Sequence, residues 1–293
     1  MQALWMVAAA FMFALMGVCI KFASVYFNAA EIVFYRGLIS MALIWWLTRR
    51  QNISLTTRYP RMHAWRSCIG VTSMGMWFYA IGKLPLATAM TLNYMSSLWV
   101  AAFVVGSALL TWRPKGEGDQ PALNIPLVLT VISGFCGVIL MLRPNIEADQ
   151  MFAGLVGLMS GLISAFAYMQ VVALSRMGEP EQRVVFYFAV GSAIAGGLAT
   201  LFVGTSSFPG WPALWLIPVG ILAAGAQLAM TRAYGSATTR RATLVVANLQ
   251  YSGIVFAGLF SIVVFGDQIP AIGWMGMALI VGSGIVATVL RKR

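Results

Sequence analysis

The chain has 293 residues, of which 60% are hydrophobic and only 9% charged, and its mean hydropathy is +0.84. Soluble domains carry about 25% charged residues, so this composition excludes a soluble globular protein and predicts an all-α membrane protein. The net charge of +11 is compatible with nucleic acid or with anionic lipid, and its distribution along the chain decides between them.

Apolar windows long enough to cross a bilayer predict ten transmembrane helices, since about 20 apolar residues span the hydrocarbon core. The connecting segments are short, which leaves no room for a soluble domain of any size. The predicted spans lie near residues 3–23, 30–48, 64–82, 86–111, 125–142, 152–174, 184–204, 213–233, 241–265 and 271–290.

The basic residues divide unequally between the two sides that ten spans define. Fifteen of the 19 fall on one side and only Lys21, Lys83 and Arg143 on the other, with Arg36 inside the second span. Lysine and arginine accumulate in cytoplasmic loops, so both termini are predicted to be cytoplasmic. The charge is therefore an orientation signal, and we expect the lipid bilayer rather than nucleic acid as a partner.

Arg36 is a charged group inside a predicted span, where it costs roughly 2.5–3.5 kcal/mol at the centre of a helix. Two interpretations stay open: a structural residue that snorkels or contacts another helix, and an anion-facing residue of a transport pathway. Glu31, near the outer interface, is a possible partner for it. His63 is the single histidine and lies in the basic loop before span 3, where we expect it to be solvated.

The two halves of the chain, residues 1–145 and 146–293, match each other in order at offsets of about 150 residues. Because each half has an odd number of spans, the second half must enter from the opposite side. The pattern therefore predicts two inverted five-helix repeats, with substrate held near the midplane between them. Arg36 corresponds to Phe188, so this basic group is predicted to occur once. At an offset of 155 the matching pairs are Tyr79 and Tyr234, Ala87 and Ala242, Thr88 and Thr243, Asn93 and Asn248, and Ser97 and Ser252.

Polar and aromatic residues inside the spans predict the substrate site. Asn93 and Asn248 lie mid-span, where an unsatisfied amide is costly; they either bond to neighbouring helices or face a wet cavity and contact substrate. The aromatic residues would supply stacking surface, and Arg36 a positive field. The predicted substrate-binding residues are Arg36, Tyr79, Asn93, Tyr94, Ser97, Trp99, Tyr168, Gln227, Asn248, Gln250 and Tyr251.

Other function classes leave no trace in the sequence. No aspartate or glutamate lies deep in a span, and no Walker motif, metal-ligand cluster or nucleophile constellation occurs. We therefore expect no cofactor, no metal and no enzymatic activity, and facilitated diffusion or exchange rather than a proton relay. Gly157 and Gly161 form a GxxxG spacing, which internal packing explains as well as dimerisation does, so we expect a monomer or a weak dimer.

Several motifs together resemble the drug/metabolite transporter superfamily, in its ten-helix EamA type. They are Phe34-Tyr35-Arg36-Gly37-Leu38, Tyr79-Ala80 leading into Leu86-Ala87-Thr88-Ala89, and Gly266-Asp267-Gln268. The family commonly has proline in span 4 where this chain has Ser96-Ser97, and often glutamate in place of Asp267.

The resemblance covers nearly the whole chain and implies a multi-pass carrier of the plasma (inner) membrane. Its aromatic residues are similar to those of the aromatic amino acid exporters of that group. The expected function is a secondary transporter that exports amino acids or similar amphiphilic small molecules. The alternative is an importer or exchanger of a nucleotide-like or cofactor-like metabolite.

Overall fold

The structure, a computed structural model, describes residues 2–96, 98–99, 125–142, 148–237 and 240–290. All regular secondary structure in these ranges is helical, which confirms the all-α class. Besides a short 3₁₀ helix, Trp211–Trp215, eleven α-helices lie in this part of the chain. They are α1 (Gln2–Ala23), α2 (Ala29–Arg50), α3 (Pro60–Lys83), α4 (Leu86–Asn93), α5 (Ile125–Leu142), α6 (Ala148–Arg176), α7 (Glu181–Val203), α8 (Leu216–Gly235), α9 (Arg240–Leu249), α10 (Ser252–Phe265) and α11 (Ala271–Leu290).

Five helical segments are long and apolar enough to cross a membrane by length and composition: α1, α2, α6 from Gln150, α7, and residues 211–235. A multi-pass membrane protein is therefore supported. The helix α3 begins at Pro60, four residues before the predicted third span, because proline is favoured in the first turn of a helix. Residues 100–111 of the predicted fourth span lie outside the described residues.

The predicted ninth span, 241–265, is wrong as one continuous helix. The helix α9 ends at Leu249 and α10 starts at Ser252. At this break Tyr251 N–H donates to the Asn248 carbonyl, an i to i−3 bond of 3.1 Å. A matching break follows α4, where Met95 N–H donates to the Leu92 carbonyl at 3.3 Å. Mid-helix 3₁₀ geometry of this kind often marks a functional hinge.

The helices pack in pairs across the molecule. The closest pairs are α1 with α8, α2 with α7, α3 with α6, and α5 with α11. Two glycines bring α2 and α7 into backbone contact: a Cβ on Gly37 would lie 2.5 Å from the Ala193 nitrogen, and one on Gly196 would lie 2.5 Å from the Phe34 nitrogen. Small residues allow this approach in a membrane, where packing rather than the hydrophobic effect holds helices together.

The GxxxG pair packs inside the molecule. A Cβ on Gly161 would lie 2.5 Å from the Leu92 carbonyl oxygen, and one on Gly157 would lie 3.2 Å from Leu92 Cδ1. These glycines of α6 therefore let it approach the last turn of α4. Of the two readings that the sequence left open, internal packing accounts for the spacing.

Polar contacts join the loops at two opposite ends of the helices. At one end Glu31 closes a capping box with Asn28 and accepts a hydrogen bond of 2.8 Å from the Ser206 N–H. Lys21 at that end lies 3.7 Å from Asp267. The Glu31 carboxylate thus makes hydrogen bonds to Asn28 and Ser206. No ion pair between Glu31 and Arg36, which the sequence left possible, occurs among the described residues.

The opposite end carries the more basic loops. There Arg183 donates to the Ser54 carbonyl at 2.7 Å, and Arg232 lies 4.0 Å from Glu181. Gln2 of α1 bonds to the Ser236 carbonyl at the end of α8. The grouping of these loops agrees with the two sides that the sequence defined.

Candidate functional site

A cavity lies in the centre of the helical bundle, where seven of the helices or their ends converge. Its volume is about 50 Å³. That space holds a few waters, so an organic molecule would require the helices to move apart. The cavity is lined by Phe13, Met16, Arg36, Arg66, Gly70, Ser73, Met74, Trp77, Asn93, Tyr94, Ser164, Ala167, Tyr168, Phe188 and Gln227.

Five of the predicted substrate-binding residues meet at this cavity. They come from α2, the α4 break, α6 and α8, and they are Arg36, Asn93, Tyr94, Tyr168 and Gln227. Their convergence follows from the pairing of the helices, since each residue lies on the face that its helix turns toward the centre. Whether they bind a substrate stays a prediction.

The helix α3 contributes the largest share of the lining. Its residues Arg66, Gly70, Ser73, Met74 and Trp77 line the cavity and repeat at the i, i+4, i+7, i+8, i+11 spacing of one helix face. Arg66 is not among the residues that the sequence predicts for the site, because it lies at the start of the predicted span 64–82, beside the basic loop. Its spacing of 11 residues from Trp77, about three helical turns, is the signal that places both on one helix face.

Two arginines contact one aromatic ring of the cavity lining. The guanidinium carbon of Arg36 lies 5.0 Å from the centre of the Phe188 ring, and that of Arg66 lies 4.1 Å from the same point. Both side chains are almost fully buried, at 2% and 3% exposed. The cavity therefore holds a second basic group besides the predicted Arg36, supplied by α3.

These two charges repel each other without a neutralising acid. Their guanidinium carbons are at most about 9 Å apart, since both lie within 5.0 Å of one ring centre. At an effective dielectric constant of about 20, such a pair is disfavoured by about 2 kcal/mol or more. No aspartate or glutamate lines the cavity among the described residues. The site therefore carries a net positive field.

Neighbouring residues fix where each guanidinium lies. Arg36 Nη1 donates to Ser192 Oγ at 3.1 Å. Gly70 makes room for Arg66 one turn along α3, because a Cβ there would overlap Arg66 Nη1 and lie 2.8 Å from Phe188 Cε2. The position of the Arg36 guanidinium thus depends on a contact with α7. The position of the Arg66 guanidinium depends on the absence of a side chain at Gly70.

Asn93 is held by serines of α6. Its Nδ2 donates to Ser160 Oγ at 3.0 Å and to Ser164 Oγ at 3.1 Å, and Ser164 also shares a hydrogen bond of 2.6 Å with Ser73. The residue therefore bonds between helices and lines the cavity, so the two interpretations of its role are compatible.

Gln250 connects the second helix break to the cavity. Its Nε2 donates to the Tyr168 hydroxyl at 2.8 Å, and its Oε1 accepts from the Tyr234 hydroxyl at 3.4 Å. Gln250 is buried but does not itself line the cavity, so it holds Tyr168 in place. A movement at the α9–α10 break would therefore reach the cavity wall.

The buried polar atoms of the lining that lack partners share one property. They are hydrogen-bond donors: Arg36 Nε, Arg66 Nε, Arg66 Nη1, Trp77 Nε1 and Tyr94 Oη, the last of which can also accept. Each is buried without a partner among the described residues, and unmade hydrogen bonds of buried groups are costly. A ligand that satisfied them would have to supply acceptors.

The remaining predicted site residues lie elsewhere. Trp99 donates to the Leu158 carbonyl at 3.3 Å and packs on Phe135. The Tyr251 ring packs against α11 at Gly284. Asn248 lies at the end of α9 with its Oδ1 buried and without a partner in the described part of the chain. Ser97 lies outside the described residues.

Tyr79 borders a second cavity, which opens between α2, α3 and α7. This cavity is mostly apolar and has a volume of about 600 Å³. Its walls include Val33 of α2, Val71 of α3 and Ala199 of α7. Tyr79 also packs edge-on against Phe152, with 6.1 Å between ring centres. It therefore faces away from the two arginines.

The expectation that His63 is solvated is wrong. It is 2% exposed, and its Nε2 lies 3.2 Å from Glu179 Oε2. Glu179 also accepts from Thr57 at 3.0 Å and from Arg183 at 3.2 Å. Burial alone would raise the pKa of the Glu179 carboxyl, but these hydrogen bonds outweigh it and hold the pKa below its ordinary value. The cluster ties the loop before α3 to the turn between α6 and α7.

The described residues hold no group of three or more potential metal ligands, so no metal is assigned to this site. No model of a known protein family matches the chain.

Relatives span almost the whole length of the chain. It is 29% identical over 287 residues to the pseudopaline exporter CntI of Pseudomonas aeruginosa, covering 98% of this chain and 95% of that protein. It is 25% identical over 291 residues to the riboflavin transporter of Vibrio cholerae, covering 95% and 90%. A transport function is therefore supported, and no relative here is named as an enzyme.

The fold also occurs in a solved structure. A crystal structure with 19% sequence identity aligns at a TM-score of 0.62 over 99% of this chain and 98% of the other. At this identity the likeness concerns the fold alone, and it supports the helical arrangement around the cavity.

Proposed function

We propose that this chain is a secondary transporter that moves a small organic metabolite across the plasma membrane by alternating access. The central cavity is its substrate site. The observation that carries the proposal is the convergence of Arg36, Arg66 and Tyr94 on one buried space, with donors that no described residue satisfies. Small-molecule binding sites of proteins also place a few polar groups in an otherwise apolar cavity.

The contacts between helices support two inverted five-helix repeats, residues 1–145 and 146–293. Exchanging the halves would convert the α1–α8 contact into the α6–α3 contact, and both occur. The pairs α2–α7 and α5–α11 would map onto themselves. The breaks after Asn93 and after Leu249 also fall at nearly equivalent positions. Transporters of this kind often hold substrate where discontinuous helices meet.

In this mechanism one half rocks against the other, so that the cavity opens to one side at a time. The two end clusters are the contacts that must break in turn. His63 and Glu179 close the basic end, and Lys21 with Asp267 belongs to the other. We place the basic end, with both termini, in the cytoplasm, because lysine and arginine collect there.

The proposed family is the EamA type of the drug/metabolite transporter superfamily, acting as a monomer or weak dimer. Export of amino acids or similar amphiphilic solutes is supported by the aromatic lining and by the likeness to the pseudopaline exporter. Transport of a cofactor-like metabolite is the alternative, and the likeness to the riboflavin transporter favours it.

The test is flux through the purified full-length chain in proteoliposomes, measured as counterflow of a labelled solute panel with and without a pH gradient. We expect saturable counterflow of at least one organic solute, and its loss in Arg36→Gln. Arg49→Gln is the matched control, because Arg49 is exposed on the same helix. Absence of counterflow for every solute, or equal flux in both variants, would refute the proposed site.

A further inference from the structure

Buried hydrogen-bond donors without partners are concentrated on two arginines of the central cavity. Arg66 leaves two nitrogens without partners among the described residues and Arg36 leaves one. Trp77 Nε1 and Tyr94 Oη add two more. Guanidinium groups keep their proton in proteins and only donate. The chemistry missing from the described cavity is therefore that of a ligand rich in acceptors, with negative charge.

The two guanidinium groups come from different helices and are held separately, although both contact the Phe188 ring. The ring holds one guanidinium carbon at 5.0 Å and the other at 4.1 Å from its centre. Ser192 anchors Arg36, and the space over Gly70 receives Arg66. A single carboxylate can pair with one guanidinium in a two-bond fork, which would leave the other charge unpaired.

A positively charged ligand group would meet no matching charge. Among the described residues the lining contains no carboxylate, and its neutral oxygens include those of Ser73 and Ser164, which bond to each other. Phe13, Met74 and Trp77 form an apolar wall beside them. Among the amphiphilic solutes proposed above, the site thus suits an anion with an apolar body better than a zwitterion such as a neutral amino acid, or an amine, which narrows the proposed substrate class.

On the basis of the proposed transport function, we propose that the substrate is an organic dicarboxylate, with one carboxylate on Arg36 and the other on Arg66. Its apolar body contacts Trp77, and the Tyr94 hydroxyl donates to one of the carboxylates. The second carboxylate neutralises the repulsion between the two arginines. The specificity would therefore be set by paired charges on α2 and α3.

The test is binding of four matched probes to the purified full-length chain in detergent, by titration calorimetry. The probes are phenylsuccinate with two carboxylates, phenylpropionate with one, phenylalanine as a zwitterion, and phenylethylamine as a cation. We expect phenylsuccinate to bind about tenfold or more tightly than phenylpropionate, with the amine weakest. Arg36→Gln and Arg66→Gln should each remove that advantage. Arg61→Gln, exposed on α3, should keep it.

Equal affinity for the four probes, or tighter binding of phenylalanine, overturns the dicarboxylate assignment. Thermal unfolding of each variant shows whether it is folded, and Arg36→Lys and Arg66→Lys, which keep the charge, should retain part of the preference. Counterflow of the same probes is scored separately. Flux that favours phenylalanine would leave the transport function intact and refute the dicarboxylate class. Binding of phenylsuccinate without flux of any solute would refute transport instead.

Discussion

Replacing Gly37 with alanine should separate α2 from α7 and destabilise the bundle. The added Cβ would lie 2.5 Å from the nitrogen of Ala193 and 2.9 Å from its Cα. Carbon atoms pack at about 3.5–4.0 Å, so the two backbones must part by about 1 Å. Backbone atoms cannot rotate away, and overpacking of this kind costs about 1–3 kcal/mol. The displacement should also weaken the bond from Arg36 to Ser192.

The measurement is the thermal unfolding midpoint of the detergent-solubilised protein, with substrate affinity as a second readout. Gly75→Ala on α3 is the matched control, because no atom lies within 4 Å of its added Cβ and alanine favours a helix over glycine by about 1 kcal/mol. We expect a midpoint several degrees lower for Gly37→Ala and an unchanged or higher one for Gly75→Ala. Equal midpoints for Gly37→Ala and the wild type would refute the backbone contact.

Three further predictions concern the site and its surroundings. Gly70→Ala should lower substrate affinity about tenfold and lower the unfolding midpoint less than Gly37→Ala does, because the added methyl displaces the flexible end of Arg66 and the edge of the Phe188 ring rather than backbone atoms; equal affinity would contradict this. Tyr94→Phe should weaken substrate binding and not stability, since its hydroxyl lacks a partner among the described residues; a large loss of stability would show a structural role. The pKa of the Glu179 carboxyl is held below its ordinary value in the folded protein. The ionised carboxylate should therefore stabilise the fold at pH values above the ordinary pKa, and this contribution should be lost as pH falls through the pKa of the folded state. The unfolding midpoints of wild type and Glu179→Gln, compared from pH 7 down to about pH 3, below the ordinary carboxyl pKa, should therefore approach each other as pH falls below that ordinary value, and parallel curves would refute the assignment.

The sequence could predict the helices because a bilayer requires each span to satisfy its own backbone. Hydropathy alone therefore locates α1, α2 and α7 closely. Mid-span polar residues such as Asn93 also point to the cavity, since a membrane tolerates them only when they have partners. This part of the site follows from local chemistry.

The rest depends on tertiary contacts. Arg66 lies at the start of the predicted span 64–82, next to the basic loop, and nothing in the sequence near it shows that it lines the cavity beside Phe188. The break before Ser252 contains no proline, and the bonds of Gln250 to Tyr168 and Tyr234 accompany it. His63 is buried because Glu179, 116 residues away, pairs with it. A local stretch of sequence around His63 does not include Glu179, so its burial could not be predicted from that stretch.

Thiol accessibility tests alternating access to the central cavity most directly. In a background with Cys19, Cys68 and Cys136 replaced, Ala167→Cys would place a thiol in the cavity wall. Ala153→Cys is the control, since Ala153 is buried outside the cavity lining. We predict that a membrane-impermeant thiol reagent labels Ala167→Cys from either side of the membrane, that transported solute suppresses this labelling, and that Ala153→Cys stays unlabelled. Labelling of Ala167→Cys from neither side, or labelling that solute leaves unchanged, would contradict the account.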